Sequence, residues 1–296
     1  MFKKILVPLD GSEQAEAALP YAEELTMKLG AELVLFHACG PAHRSFERMH
    51  RIYIDDVLGK LEASMNAGNR EGAARVAVRI EDCPPAEDVC VLMARNQVDL
   101  VVMTAIGSSG MAIGKKLGSV ADSACRTLPI PVLLIRAKSP ERQNTGSGLI
   151  KSILLPLDGS DLSKLAVPAA ETLAAGLKAP ITLFQMVRSA YLYGGDPVPF
   201  LDYEKLTQDE EKNVRDQMAA LEADLGGRGI EVMSRVVSGA DAAEEIIRAA
   251  ANSGIDLIVM STHGRSGLSH LVLGSVAEKV MAKGKSPLLL VHARAG

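Results

Sequence analysis

The chain has 296 residues, enough for two ordinary domains that each bury a core. An apolar content of 48% beside 23% charged residues excludes a disordered chain. A net charge of −4, with no Trp, five Phe and five Tyr, argues against a basic, stacking nucleic-acid surface.

The first strand is expected over 4–8, an apolar run that ends in Pro8, Leu9 and Asp10. Ser12 then reads as the N-cap of a helix carrying Ala15, Ala18, Leu19, Ala22 and Leu25 at helical spacing, and Gly30 ends it. Strands follow at 32–38, 75–80, 100–104 and 132–136, separated by helical stretches near 46–70, 86–96 and 118–127. Residues 138–148, KSPERQNTGSG, are polar and aperiodic and form the linker. The pattern then restarts, with strands at 152–156, 180–187, 230–237, 256–261 and 287–291. Helices lie between them at 160–176, 204–226, 242–253 and 274–283. An insertion at 191–203, YLYGGDPVPFLDY, has Gly, Pro and aromatics without helical period, and reads as a lid or a plain surface loop. No apolar run reaches the roughly 18–20 residues of a membrane span, and a strand begins where a secretory leader would need its apolar region, so a cytoplasmic protein is expected.

The second half repeats the first. ILVPLDGS at 5–12 returns as ILLPLDGS at 153–160, Asp99-Leu100-Val101-Val102-Met103 as Asp256-Leu257-Ile258-Val259-Met260, and Gly118-Ser119-Val120-Ala121 as Gly274-Ser275-Val276-Ala277. Order is kept throughout, so one whole domain is duplicated: 1–137, then a linker at 138–149, then 150–296. Alternating strands and helices, with near-continuous apolar strands, imply parallel sheets covered on both faces. Right-handed crossovers make each half a doubly wound, open, five-stranded α/β sheet. All four cysteines (Cys39, Cys83, Cys90, Cys125) lie in the first half, match no CxxC spacing, and read as reduced, mostly buried thiols. His37, Cys39, His43 and His50 fit no zinc pattern, and Gln185 stands at the counterpart of His37, so no metal site is expected.

In an open parallel sheet, ligands sit beyond the carboxyl ends of the strands where strand order reverses. Two segments of the second half should meet there. One is Pro156-Leu157-Asp158-Gly159-Ser160; the other runs from Met260 through Ser261, Gly264, Arg265 and Gly267 to Gly274-Ser275 at a helix start. The chemistry suits phosphate. Gly264 and Gly267 permit close backbone approach, Gly274 and Ser275 offer amides and a hydroxyl at a helix N-terminus, and Arg265 adds charge. Asp158 is placed to accept from a ribose hydroxyl or to help hold a cation. The His263 ring is expected to pack or bond within its own turn rather than reach a phosphate. Glycines after strands also make plain turns, so these residues alone leave both readings open.

The ILLPLDGS opening, IVMSTHGRSG, LGSVAEKV and the closing SPLLLV together resemble the universal stress protein family, and the resemblance recurs in both halves. It covers almost the whole chain outside the linker and the insertion, as in a tandem member. The family's ATP-binding members carry G-x2-G-x9-G-[S/T], with the triphosphate in the glycine loop and adenine near the ends of the first two strands. On this chain Gly264 and Gly274-Ser275 match, while Ser261 stands at the first glycine. The resemblance further implies Pro156, Leu157, Asp158, Met186, Met260, Arg265, Gly267 and Val276 around the ligand. In the first half it implies Pro8, Leu9, Asp10, Ala38, Met103, Thr104, Gly107, Gly118, Ser119 and Val120. There the β-branched Thr104 takes the first glycine position, Ile106 and Ser108 replace His263 and Arg265, and ten residues rather than nine separate the glycines. The second site is expected to bind more tightly.

The function so implied is a nucleotide-binding stress-response regulator that acts by occupancy and assembly, with ATP, and Mg²⁺ as an optional companion, at the second site. An interaction scaffold that binds no nucleotide is the alternative. Enzymes of related layered folds want an SGGxDS loop or an HxGH pair, and this chain has neither, nor a nucleophile–base–orienter set. Incidental slow ATP hydrolysis stays open; designed turnover is not expected. No nucleic-acid or membrane partner is expected. The last strands, 132–135 and 288–291, follow proline and read as apolar edges that seek pairing. The resemblance implies that the halves join through them as a pseudo-dimer within one chain, and it leaves a homodimer of whole chains open.

Overall fold

The computed structural model describes residues 1–39, 47–67, 75–82, 86–107, 117–136, 148–188, 202–264 and 273–292. The chain divides into two compact units. The first holds β1 (Lys4–Leu9), β2 (Glu32–Cys39), β3 (Val76–Asp82), β4 (Leu100–Thr104) and β5 (Val132–Ile135). Its helices are α1 (Glu13–Glu16), α2 (Leu19–Leu29), α3 (Glu47–Ala67), α4 (Ala86–Arg95) and α5 (Ser119–Thr127). The second holds β6 (Ile153–Leu157), β7 (Ile181–Arg188), β8 (Val232–Gly239) and β9 (Leu257–Ser261). With them come α6 (Asp161–Lys164), α7 (Val167–Leu177), α8 (Tyr203–Gly227), α9 (Ala242–Asn252) and α10 (Ser275–Lys283).

Strand order is β3-β2-β1-β4-β5 in the first unit and β9-β6-β7-β8 in the second, parallel throughout. This is the doubly wound α/β arrangement that the alternating pattern implied. Central strands read as unbroken apolar runs because both faces are covered: Ile5, Leu6, Val7, Leu257 and Val259 have no exposed surface. The last strand of the sequence, β10 (Leu288–Val291), packs with the first unit. It runs antiparallel to β5, with Leu288 opposite Leu134 and Leu290 opposite Val132. The expected pairing of the two closing strands is therefore present.

Two details correct the sequence reading. The single helix expected from Ser12 to Gly30 is broken into α1 and α2, because Pro20 has no N–H to bond back one turn and its ring crowds the carbonyl there. Pro168 divides α6 from α7 in the same way. Most of the insertion and of the linker lies outside the described residues. Cys90 and Cys125 are free and buried, as read; burial first, then the charge of Asp122, pushes the Cys125 thiol up to about 12. Cys83 and the side chain of Cys39 lie outside the described residues. Among those residues no helix is long and apolar enough to cross a membrane.

Candidate functional site

Each unit opens a cleft where its strand order reverses, and the backbone explains why. Strand β1 pairs with β2 along its whole length, from Lys4 opposite Glu32 to Leu9 opposite His37. With β4 it pairs only at Ile5 and Leu6. The carbonyl of Lys4 accepts from Asp99 N–H on the β4 side, so by strand alternation Leu6 and Pro8 also face β4. Pro8 has no N–H to continue that ladder. The second unit repeats the device: β6 meets β9 only at Ile153 and Leu154, Ser152 O faces β9, and Pro156 falls on the same side. Past each proline the two strands part.

The turn at the cleft edge is built identically in both. Gly11 and Gly159 take left-handed φ values of 84° and 83°, letting the chain turn at once from strand to helix. Ser160 caps α6 by accepting from Ser163 N–H at 3.1 Å. Its own N–H and hydroxyl donate to Asp158 Oδ1 at 2.9 and 2.6 Å, which fixes the carboxylate beside the cleft. Ser12 and Asp10 do the same at 3.0 and 2.5 Å.

In the second unit the cleft becomes a cavity of about 490 Å³, inside the range of roughly 300–1,000 Å³ typical of small-molecule sites. Pro156, Leu157, Asp158, Met186, Met260, Ser261, Gly264, Gly274, Ser275 and Val276 all line it. Arg265 and Gly267 lie outside the described residues. The structure adds residues the sequence did not place at the site: Gln185 and Arg188 on β7, Glu210 and Val214 on α8, Ala242 and Ile246 on α9, and Thr262; His263, expected to bond within its turn, also lines the cavity. Val214 and Ile246 look like ordinary core positions in sequence, and only the placement of their helices over the strand ends brings them here.

The turn after β9 is tied internally. Ser261, at the position of the resembled first glycine, is buried, and its hydroxyl accepts from His263 N–H at 3.3 Å. The Thr262 hydroxyl bonds His263 Nδ1 at 2.9 Å, which bears out the local role expected of that ring; Nε2 is buried without a partner. Gly274 N–H donates to Thr262 O at 2.8 Å, and a Cβ on Gly274 would stand only 3.0 Å from that oxygen. A Cβ on Gly264 would collide with Asp158 Oδ2, so this glycine lets the turn close over the carboxylate. No side chain caps α10. The amides of Ser275, Val276 and Ala277 therefore open on the cavity with the positive end of the helix dipole. The lining combines an anion-stabilising helix start, an apolar set (Met186, Val214, Ile246, Met260) and the carboxylates of Asp158 and Glu210.

The first unit has a cavity of about 190 Å³, lined by every residue expected there: Pro8, Leu9, Asp10, Ala38, Met103, Thr104, Gly107, Gly118, Ser119 and Val120. Thr104 turns its hydroxyl into the loop, donating to Ile106 O at 3.1 Å. Nearby, buried His37 donates from Nδ1 to Leu9 O at 2.8 Å, since a carbonyl can only accept. Its Nε2 lies 2.7 Å from His50 Nδ1, and Tyr53 packs against the same ring at 5.7 Å. Burial, then the charge of Glu16, holds the Tyr53 hydroxyl above its ordinary titration range.

The sequence pattern that defines the Universal stress protein family matches residues 1–136 and again 149–292. A universal stress protein of Methanocaldococcus jannaschii is 29% identical over 152 residues, covering 49% of this chain and 84% of that protein. One from Synechocystis sp. is 23% identical over 311 residues, covering 97% of this chain and 99% of its own length. A crystal structure of a universal stress protein from Archaeoglobus fulgidus superposes with a TM-score of 0.67 at 18% identity, covering 98% of each chain, a likeness of fold.

Proposed function

The chain belongs to the universal stress protein family, and from that premise we propose that it is an adenine-nucleotide-binding regulator whose ligand, ATP, occupies the second cavity. This reading treats 1–137 and 150–296 as two copies of one domain, of which the second carries the principal site. The observation that carries it is the cavity of about 490 Å³, whose lining includes both an uncapped helix N-terminus and a fixed carboxylate. Triphosphate suits the amides of Ser275 and Val276; the base suits the apolar set; ribose hydroxyls suit Asp158. Mg²⁺ would be held mainly by the phosphates themselves. Among the described residues no set for turnover accompanies them, and in this reading the protein acts by occupancy, biasing a conformation or a partner.

The test is to denature purified protein, chromatograph whatever is released, and titrate ATP with and without Mg²⁺. Adenine nucleotide in the released fraction, or saturable micromolar binding at one principal site per chain, is the expected result. Neither ligand nor binding would leave an interaction scaffold as the function.

A further inference from the structure

We infer that the ribose end of the second cavity selects nucleotides with unsubstituted 2′ and 3′ hydroxyls, and that Glu210 is the residue that rejects a phosphate there. The inference rests on the nucleotide reading above and narrows it to a ligand class. The cavity opens beside Asp158 into a groove of about 410 Å³ whose lining is polar apart from Val214 and the glycine of the β6–α6 turn. Asp158, Gln185 and Glu210 line both spaces and so stand at their junction; Asn213 and Gln217 continue the groove along α8. A carboxylate accepts from a ribose hydroxyl, whereas a phosphate on that oxygen needs a cation. Among the described residues the groove lining has two carboxylates and no cationic side chain. Arg188 lines the main cavity and is already engaged with a partner.

The first unit shows that this groove is not required by the fold. With α3 and α8 aligned so that buried Ile54 meets Val214 and buried Met65 meets Leu225, the two helices keep one offset along their length. His50 then stands at Glu210 and Tyr53 at Asn213, while His37 is the counterpart of Gln185. Those three rings pack on one another, with His37 and His50 bonded at 2.7 Å. One copy fills the place with rings; the other lines it with a carboxylate and amides.

The full chain is titrated with AMP, adenosine 2′,5′-bisphosphate and adenosine 3′,5′-bisphosphate, alongside Glu210→Gln, a near-isosteric change at a half-buried position whose folding is checked by thermal melting. Wild type is expected to prefer AMP at least about tenfold over both bisphosphates, and the variant to cut that ratio to about threefold. The preference should shrink as salt rises, which a purely steric groove would not do. Equal binding of the bisphosphates to wild type, or an unchanged ratio in the variant, overturns the inference and leaves the nucleotide reading standing. Failure of AMP and ATP alike to bind overturns both.

Discussion

The two units share a backbone plan and differ in what occupies it. Both part their strands after two residue pairs, both fix an aspartate with the following serine, and both leave a helix N-terminus without a side-chain cap. Yet one cleft is about 490 Å³ and the other about 190 Å³. The edge chemistry is written in short turns that duplication preserved. The copies also differ on the second strand and the helix after it, where the rings of His37, His50 and Tyr53 pack together in the first and Gln185 and Glu210 line the cavity in the second. A duplicated fold can keep the backbone of its cleft while the volume of that cleft changes.

The largest expected effect separates the copies at their loop glycines. A Cβ at either position meets the strand-end carboxylate, at 2.5 Å from Asp10 Oδ2 for Gly107 and against Asp158 Oδ2 for Gly264. Because the second cavity is the one proposed to hold ATP, Gly264→Ala should weaken ATP binding about tenfold or more by calorimetric titration, roughly 1.4 kcal/mol. Gly107→Ala should do far less, and equal losses would break the comparison. Next is the ring cluster: His50→Ala removes the partner of a buried imidazole and should cost about 1–2 kcal/mol in urea unfolding. Glu210→Ala, at the matching position, should stay within about 0.5 kcal/mol.

Smaller still is the helix start. Gly274→Ala places a methyl 3.0 Å from Thr262 O, whereas Gly118→Ala finds ordinary contact at 3.6 Å from Ala105 O. The former should be the more destabilising by about 1 kcal/mol. The least effect is at acid pH. Lys279 bonds Asp241 at the cap of α9, and that bond, helped by Glu244 N–H, holds the Asp241 carboxyl below its ordinary range. Its folded value lies under its unfolded one, so its stabilisation is present above the unfolded value and lost as pH falls through the folded one. The gap between urea midpoints at pH 6 and at about pH 3 should therefore narrow in Asp241→Asn. Ser123 stands at the Lys279 position in the first unit, so the tie belongs to the second alone.

Much of this was legible in the sequence. Buried parallel strands announce themselves as apolar runs, and the LDGS and GS motifs mark strand ends and helix starts because only certain residues tolerate those turns. The breaks before α2 and α7 were missed although Pro20 and Pro168 were visible, since the apolar spacing runs on through them. Gln185, Glu210, Val214 and Ile246 carried no signal of their own. Their place at the cavity depends on how α8 and α9 lie over the strand ends, which is a property of packing rather than of local pattern. Ser261 and Thr104 stand at the resembled first-glycine positions, and what the sequence did not show is that their hydroxyls brace the turns there.

The placement of β10 beside β5 has a consequence for synthesis. The first unit receives its last strand from the final residues of the chain, so while the ribosome is still making 150–287 the β5 edge, Val-Leu-Leu-Ile, has no neighbour. At roughly 5–20 residues per second that wait is on the order of ten seconds. An apolar strand edge left open for so long is a template for a neighbouring nascent chain on the same message. A nascent first half therefore needs shielding until β10 has been made.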